Sequence, residues 1–271
     1  MRLINRKPGR VLSLALLVVP FLAVLAAYTI ASDIRLADNP QDKLLPAPSS
    51  IVDTATRLVT TPDKRSEKIL FWRDTAISLQ RLALGVGIAA LIGMVFGMLI
   101  GLFPYARAIF AGFVNVISMV PPLAILPILF IVFGLGEQSK VALIAIGITP
   151  FLIRDLGQRV LEIPTEMMVK AQTLGATSFV IALRVALPQL LPRLLQSIRL
   201  SLGPSWLFLI ASEAIAAEGG LGYRIFLVRR YLAMDIILTY VVWITILAFL
   251  IDYGLKKLGE KAFPWFGKDG L

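Results

Sequence analysis

The chain has 271 residues, of which 58% are hydrophobic and 16% charged, and its formal net charge is +10; an ordinary soluble domain carries roughly 25% charged residues. It contains no cysteine and no histidine, which excludes disulfides, zinc sites, imidazole acid–base chemistry and cysteine nucleophiles together. Apolar runs near the roughly 20 residues that a helix needs to cross hydrocarbon define an all-α polytopic membrane protein, so the surplus cations read as headgroup and orientation charge and not as a nucleic-acid surface.

In chain order, residues 1–10 form a basic N-terminus (Arg2, Arg6, Lys7, Arg10) ahead of an apolar run at 11–32. That run is too long for a signal peptide and lacks a small-residue exit, so it is a retained first span. Residues 33–81 form an extracytoplasmic insert that opens with Asn39-Pro40 and Leu45-Pro46-Ala47-Pro48. Ser49 or Ser50 can cap a short helix there, and a second amphipathic segment from Ile69 to Leu79 is expected to lie on the bilayer surface.

Further spans are expected at 82–103, 108–134, 139–156, 195–217 and 235–255, which makes six. The second carries Gly85, Ala89, Gly93, Gly97 and Gly101, a small residue at every fourth position. Such a stripe admits another backbone closely, either within the chain or from a second membrane subunit. The third span should break at Pro121-Pro122 and again near Pro127, and the fifth should kink at Gly203-Pro204. Discontinuities of this kind line pathways or serve as hinges, so Pro121, Pro122, Ser201 and Pro204 are candidates for a pathway or gate. Glu213 joins them as an acid well inside a span, which needs a partner or water; Arg199 is one candidate partner.

Between the fourth and fifth spans, residues 157–194 form a charged, amphipathic loop that cannot lie in lipid. Pro164 can start a helix of two to three turns, Glu166 favours its N-terminus electrostatically, and Gly175 can end it. The Pro188 and Pro192 pair should then bend the chain before the next span. Lysine and arginine near the span ends favour a cytoplasmic N-terminus, a cytoplasmic central loop (Arg154, Arg159, Lys170, Arg184, Arg193, Arg199) and a cytoplasmic tail at 256–271 (Lys256, Lys257, Lys261, Lys268). Arg57, Lys64, Arg65, Lys68, Arg73, Arg224, Arg229 and Arg230 fall on the opposite side, which softens the bias, though the first five belong to a longer insert where the rule weakens.

The central loop resembles the segment shared by the membrane subunits of bacterial ABC importers, which runs Glu-Ala-Ala, three residues, Gly, nine residues, Ile, one residue, Leu-Pro. Ala171, Gly175, Leu187 and Pro188 match at the right spacing, while Val169 stands for the Glu, Lys170 for the first Ala and Val185 for the Ile. Glu166, one turn earlier, or Lys170 could take over the missing carboxylate's contact. Ser118 to Pro127, Phe133 to Lys140, Leu45 to Pro48, Ala211 to Ala214 and Gly219 to Tyr223 extend the likeness to the nitrate, taurine and aliphatic-sulfonate permeases. Pro121 to Lys140 and Tyr223 to Asp235 also resemble a branch associated with urea-carboxylase-type genes, for which urea or guanidine has been suggested as cargo.

The resemblance implies a core at 82–255 in the bacterial inner membrane, a second copy of the chain, two ATP-binding cassette ATPase subunits and an extracytoplasmic solute-binding protein. The central loop (Glu166, Val169, Lys170, Ala171, Gly175, Leu187, Pro188) would act as coupling helix. No G-x-x-x-x-G-K-[ST] loop is present, so ATP would bind the partner, with no cofactor, metal or catalytic residue in this chain. The competing readings are an ion-gradient transporter or channel, which Glu213 could serve, and an intramembrane enzyme built on a serine–lysine or aspartate pair.

Overall fold

The computed structural model describes residues 9–40, 42–63 and 67–266. Arg2, Arg6, Lys7, Lys64, Arg65 and Lys268, and the side chain of Arg10, lie outside the described residues. Most of those described are helical, with no strand among them: α1 (Arg10–Asp38), α2 (Pro48–Thr60), α3 (Leu70–Leu102), α4 (Pro104–Ile117), α5 (Leu126–Phe133), α6 (Glu137–Leu161), α7 (Thr165–Thr173), α8 (Ser178–Ile181), α9 (Leu187–Ala216), α10 (Leu221–Arg229) and α11 (Met234–Ala262). Five helical segments are long and apolar enough to cross a membrane, or six if α4 and α5, bent by 82°, count as one broken span.

The chain divides into two compact units. The first takes in residues up to Thr61 together with Val228–Val241. Within it the Tyr28 hydroxyl donates to the Pro46 carbonyl at 2.7 Å and Ser32 donates to the Leu45 carbonyl at 3.0 Å, which pins the proline-rich stretch to α1. Proline cannot donate to a helical ladder, so α2 starts with Pro48 at its first position and Ala47 as cap, where serine capping was expected. Thr54 then donates to Asp235 at 2.8 Å. Beyond the end of α1, the Leu44 amide holds the Asp42 carboxyl below its usual range.

The second unit, Pro62–Leu227 with Val242–Leu271, is built on α3, α6 and α9. The small-residue stripe of α3 meets a matching ridge on α6. A Cβ added at Gly85, Gly93 or Gly97 would lie 2.7 Å from the Cβ of Ile144, Leu152 or Leu156, and one at Gly101 would collide with Val160. Ile148, fully buried, and Ala89 complete the two rows. Residues four apart share a helix face, so the two rows interlock along the whole of α6, and this close partner is intramolecular.

Three expectations are corrected here. The segment from Ile69 to Leu79 is not a separate surface helix: no Gly or Pro interrupts it, and α3 runs unbroken for 33 residues with Asp74, Ser78 and Arg81 buried. Pro127 sits in the first turn of α5, where its missing amide costs nothing, so the third span has one break and not two. The chain also continues through Pro188 without leaving the helix, because Ala182–Ala186 widen into a π-helical turn and the Leu187 amide bonds to the Ala182 carbonyl five residues back. That register gives the proline ring room which an i−4 ladder would deny it. Pro192 and Pro204 both lie inside α9, which begins eight residues earlier than the span expected at 195–217.

Candidate functional site

The central loop folds into α7 with Pro164 as its N-cap, Glu166 in the first turn and Lys170 in the last, both on the favourable side of the helix dipole. Its end is a Schellman turn. The Gly175 amide donates to the Gln172 carbonyl at 2.9 Å, the Ala176 amide donates to the Ala171 carbonyl at 3.0 Å, and Gly175 takes φ +80°. Only glycine takes that φ without strain.

No residue of α7 is buried. Met167, Val169 and Leu174 stand out as large apolar side chains, Leu174 at 87% exposure, and Phe179 follows on α8 at 71%. Glu166 and Lys170 are exposed beside them, whereas Ala171, Leu187 and Pro188 are half-buried. The expected coupling residues thus fall into an outward set (Glu166, Val169, Lys170) and an inward set (Ala171, Leu187, Pro188), joined by the turn at Gly175. Gln189 donates to the Val185 carbonyl and reaches the Met167 sulfur at 3.8 Å, which ties α7 to the root of α9.

The residues expected at a pathway or gate are not brought together. Pro122 lines a cavity of about 1000 Å³ between α4, α6 and the break between α4 and α5, with Val120 and Ile125 beside it. Ser201 is buried and donates to the Ile198 carbonyl within α9, away from that cavity. Glu213 lies elsewhere again, with 0% exposure.

Glu213 accepts from Ser78 at 2.7 Å, from the Arg81 guanidinium at 2.8 Å and from the Gly222 amide at 2.8 Å. Arg81 also forks onto Glu137 and donates to the Gly219 carbonyl, and Asp74 takes up the Gly220 amide and Arg224. The turn at 219–222 is therefore clamped onto α3 by two buried acids, and a Cβ at Gly220, whose φ is +122°, would lie 2.5 Å from the Glu213 carboxylate. Arg199, considered as the partner of Glu213, pairs with Asp252 at 2.8 Å instead. A buried acid with this many donors is satisfied structurally.

Sequence reasoning placed Pro122 at a pathway and missed the cavity's two arginines, Arg107 and Arg154. Arg154 lies inside α6, seven residues short of its end, and its guanidinium donates to the Ser118 hydroxyl at 3.0 Å next to the helix break. It stands at the border of the apolar run, next to Asp155, and so reads as a loop charge in the sequence; only the fold brings it to Ser118.

Long apolar helices with a small exposed helix set between two of them define a multi-span membrane protein. Residues 89–257 match the family described as "Binding-protein-dependent transport system inner membrane component", and the chain belongs to it. It is similar to the taurine transport system permease protein TauC of Escherichia coli, at 36% identity over 197 residues, covering 73% of this chain and 72% of TauC. It is also similar to the bicarbonate transport system permease protein CmpB of Synechococcus elongatus, at 33% identity over 190 residues, covering 69% and 67%. Among solved structures its fold resembles a chain of the MetNI methionine ABC transporter in an inward-facing conformation, with TM-score 0.63 at 23% identity, covering 73% of this chain and 99% of that one. The chain is thus a multi-pass inner-membrane permease, a transport subunit whose importer hydrolyses ATP on a separate subunit.

Proposed function

We infer that α7 is the coupling helix, that it docks an ATP-binding cassette subunit, and that two copies of this chain form the pathway. The observation that carries this reading is a short helix with no buried residue, closed by Gly175 and set between two spans of the permease core, on which Val169 is exposed beside Glu166 and Lys170 while Met167 and Leu174 are exposed on another face. Large apolar side chains beside charged ones on a solvent-facing helix suit a protein groove. Val169 makes the face it shares with Glu166 and Lys170 more apolar than the Glu of the family pattern would, and Met167 and Leu174 extend the apolar surface around the helix.

In this reading the N-terminus (1–10), the coupling loop (157–194) and the tail (256–271) are cytoplasmic, and residues 33–81 face the other side. Closure of the ATPases moves α7 and, through the helix that continues from α8 through the π turn into α9, rocks the core between inward-facing and outward-facing states. A solute-binding protein delivers a small polar cargo of the kind the relatives' names print, taurine or bicarbonate; those names lend no support to urea or guanidine. Glu213 supports a gradient-driven carrier poorly, because its carboxylate is already committed to Ser78, Arg81 and Gly222.

Affinity purification tests the reading. The tagged chain, expressed with its neighbouring genes, is expected to bring down an ATP-binding subunit at equal stoichiometry. Met167→Asp or Leu174→Asp should release that subunit while the permease stays monodisperse. Full-speed uptake into vesicles that contain this polypeptide alone would overturn the reading.

A further inference from the structure

The 1000 Å³ cavity is lined by two arginines and one acid. Arg107 and Arg154 both line it, and the polar side chains beside them are Asn115, Ser118, Asp155 and Gln158. Asp155 does not neutralise Arg154: it accepts from the Ser197 hydroxyl and faces Arg159 at 3.6 Å. Arg107 places two of its donors on the carbonyls of Ile100 and Gly101 at the end of α3. Arg154 has the neutral Ser118 hydroxyl as its hydrogen-bond partner among the described residues. A guanidinium presents five donors in a planar fork, so most of this fork is uncommitted at the wall of the cavity.

Arg154 stands where the apolar run of α6 ends, beside Asp155, and its exposed guanidinium faces the cavity, so water or a solute of opposite charge can reach it. Pro150, one turn earlier on the same wall, cannot donate to the Ile146 carbonyl, which leaves a polar backbone group beside apolar lining residues such as Val114, Ile117, Phe151 and Phe208. The cavity also abuts the break between α4 and α5, the bent element of the core.

We propose that Arg154, with Ser118 beside it, is an anion-binding way-station for cargo in transit through this cavity. The site takes a small monoanionic or zwitterionic solute carrying a planar or tetrahedral oxyanion head, a carboxylate, bicarbonate or sulfonate, through a two-pronged contact with the guanidinium. It discriminates against neutral solutes of the same size, which leave the arginine unpaired. This assignment rests on the importer reading above and adds to it a cargo-contacting residue and a charge rule.

The test uses the permease assembled with its ATP-binding subunits and solute-binding protein in proteoliposomes, with ethanesulfonate, bicarbonate and the neutral acetamide as competitors of labelled taurine. In the unaltered assembly both anions should compete and acetamide should not. Arg154→Gln should cut uptake about ten-fold or more, the size of a lost charge-assisted hydrogen bond, and Arg154→Lys should restore a large part of it. Copurification of the ATP-binding subunits and cargo-independent ATP hydrolysis should stay unchanged in both variants, which separates loss of a cargo contact from loss of fold or coupling. Ser118→Ala, which removes only the neutral partner, should lower uptake by less than Arg154→Gln. Wild-type uptake by Arg154→Gln, or equal competition by acetamide and ethanesulfonate in the unaltered assembly, would overturn the proposal while leaving the permease reading intact. Failure of the unaltered assembly to bind ATP-binding subunits at all would remove both.

Discussion

Single residues in this protein are valued by their surroundings, and two acid–arginine pairs show the range. Glu213 and Arg81 are 0% and 4% exposed at their side chains, whereas Arg199 and Asp252 are 19% and 41% exposed. Removing one member of a buried pair strands the other in low dielectric and costs about 3–5 kcal/mol, while an exposed pair contributes under about 1 kcal/mol. Glu213→Gln keeps acceptor capacity for Ser78 and the Gly222 amide and leaves Arg81 with Glu137, so its cost should sit near the lower figure, about 3 kcal/mol. Thermal unfolding of the detergent-solubilised chain should therefore shift clearly for Glu213→Gln and barely for Asp252→Asn. Equal shifts would mean that the clamp on the 219–222 turn is wetter than its geometry implies. Sequence alone singled out Glu213, because an acid in an apolar run stands out. It missed Arg81, 132 residues away, because the preceding segment had been assigned to the surface, and Arg154 looked like ordinary loop charge.

Among the helices, two features decide how force could travel. Gly175 has open space around its Cβ position and φ +80°, so a side chain there meets no neighbour and is penalised by backbone conformation alone, by about 1–2 kcal/mol. Gly175→Ala and Gly175→Val should consequently both weaken ATPase docking in a pull-down, with valine worse because it is β-branched and yet without any steric clash. An effect confined to valine would point to a hidden steric partner instead. The α3–α6 seam behaves in the opposite way: at Gly97 the obstacle is the Leu156 Cβ and the Ile153 carbonyl, neither of which can swing aside. Gly97→Leu should lose about 1–3 kcal/mol or more through overpacking, read as a fall in folded yield, whereas Gly87→Leu on the same helix, with nothing within 4 Å, should be tolerated. The stripe itself was visible as a four-residue period. Its partner was not, because a small-residue face declares that something approaches closely without saying what. The π turn at Ala182–Ala186 was equally hidden: a proline announces that the i−4 bond is lost, and only the packed chain decides whether the helix stops or widens.

For the whole molecule, orientation and the number of crossings are one question, and the absence of cysteine makes it directly measurable. Thr60, at the end of α2, and Thr173, at the end of α7, are both exposed. Between them the chain runs through α3, the bent pair α4–α5, and α6. If the pair crosses the bilayer, that is three crossings and the two positions lie on opposite sides. If the 82° bend returns the chain to the side it came from, there are two crossings and they share a side. The break follows from adjacent prolines with no amide to donate, and a span interrupted in this way is stable where neighbouring protein or a water-filled cavity re-satisfies its backbone. The cavity lined by Pro122, Ser118 and Arg154 supplies that setting, so the pair should cross. In intact spheroplasts a membrane-impermeant maleimide should label Thr60→Cys at once and Thr173→Cys only after lysis. Labelling of both positions from outside would turn the bent pair into a re-entrant loop. Labelling of Thr173→Cys alone would invert the topology and put α7 out of reach of any ATPase that draws on cytoplasmic ATP.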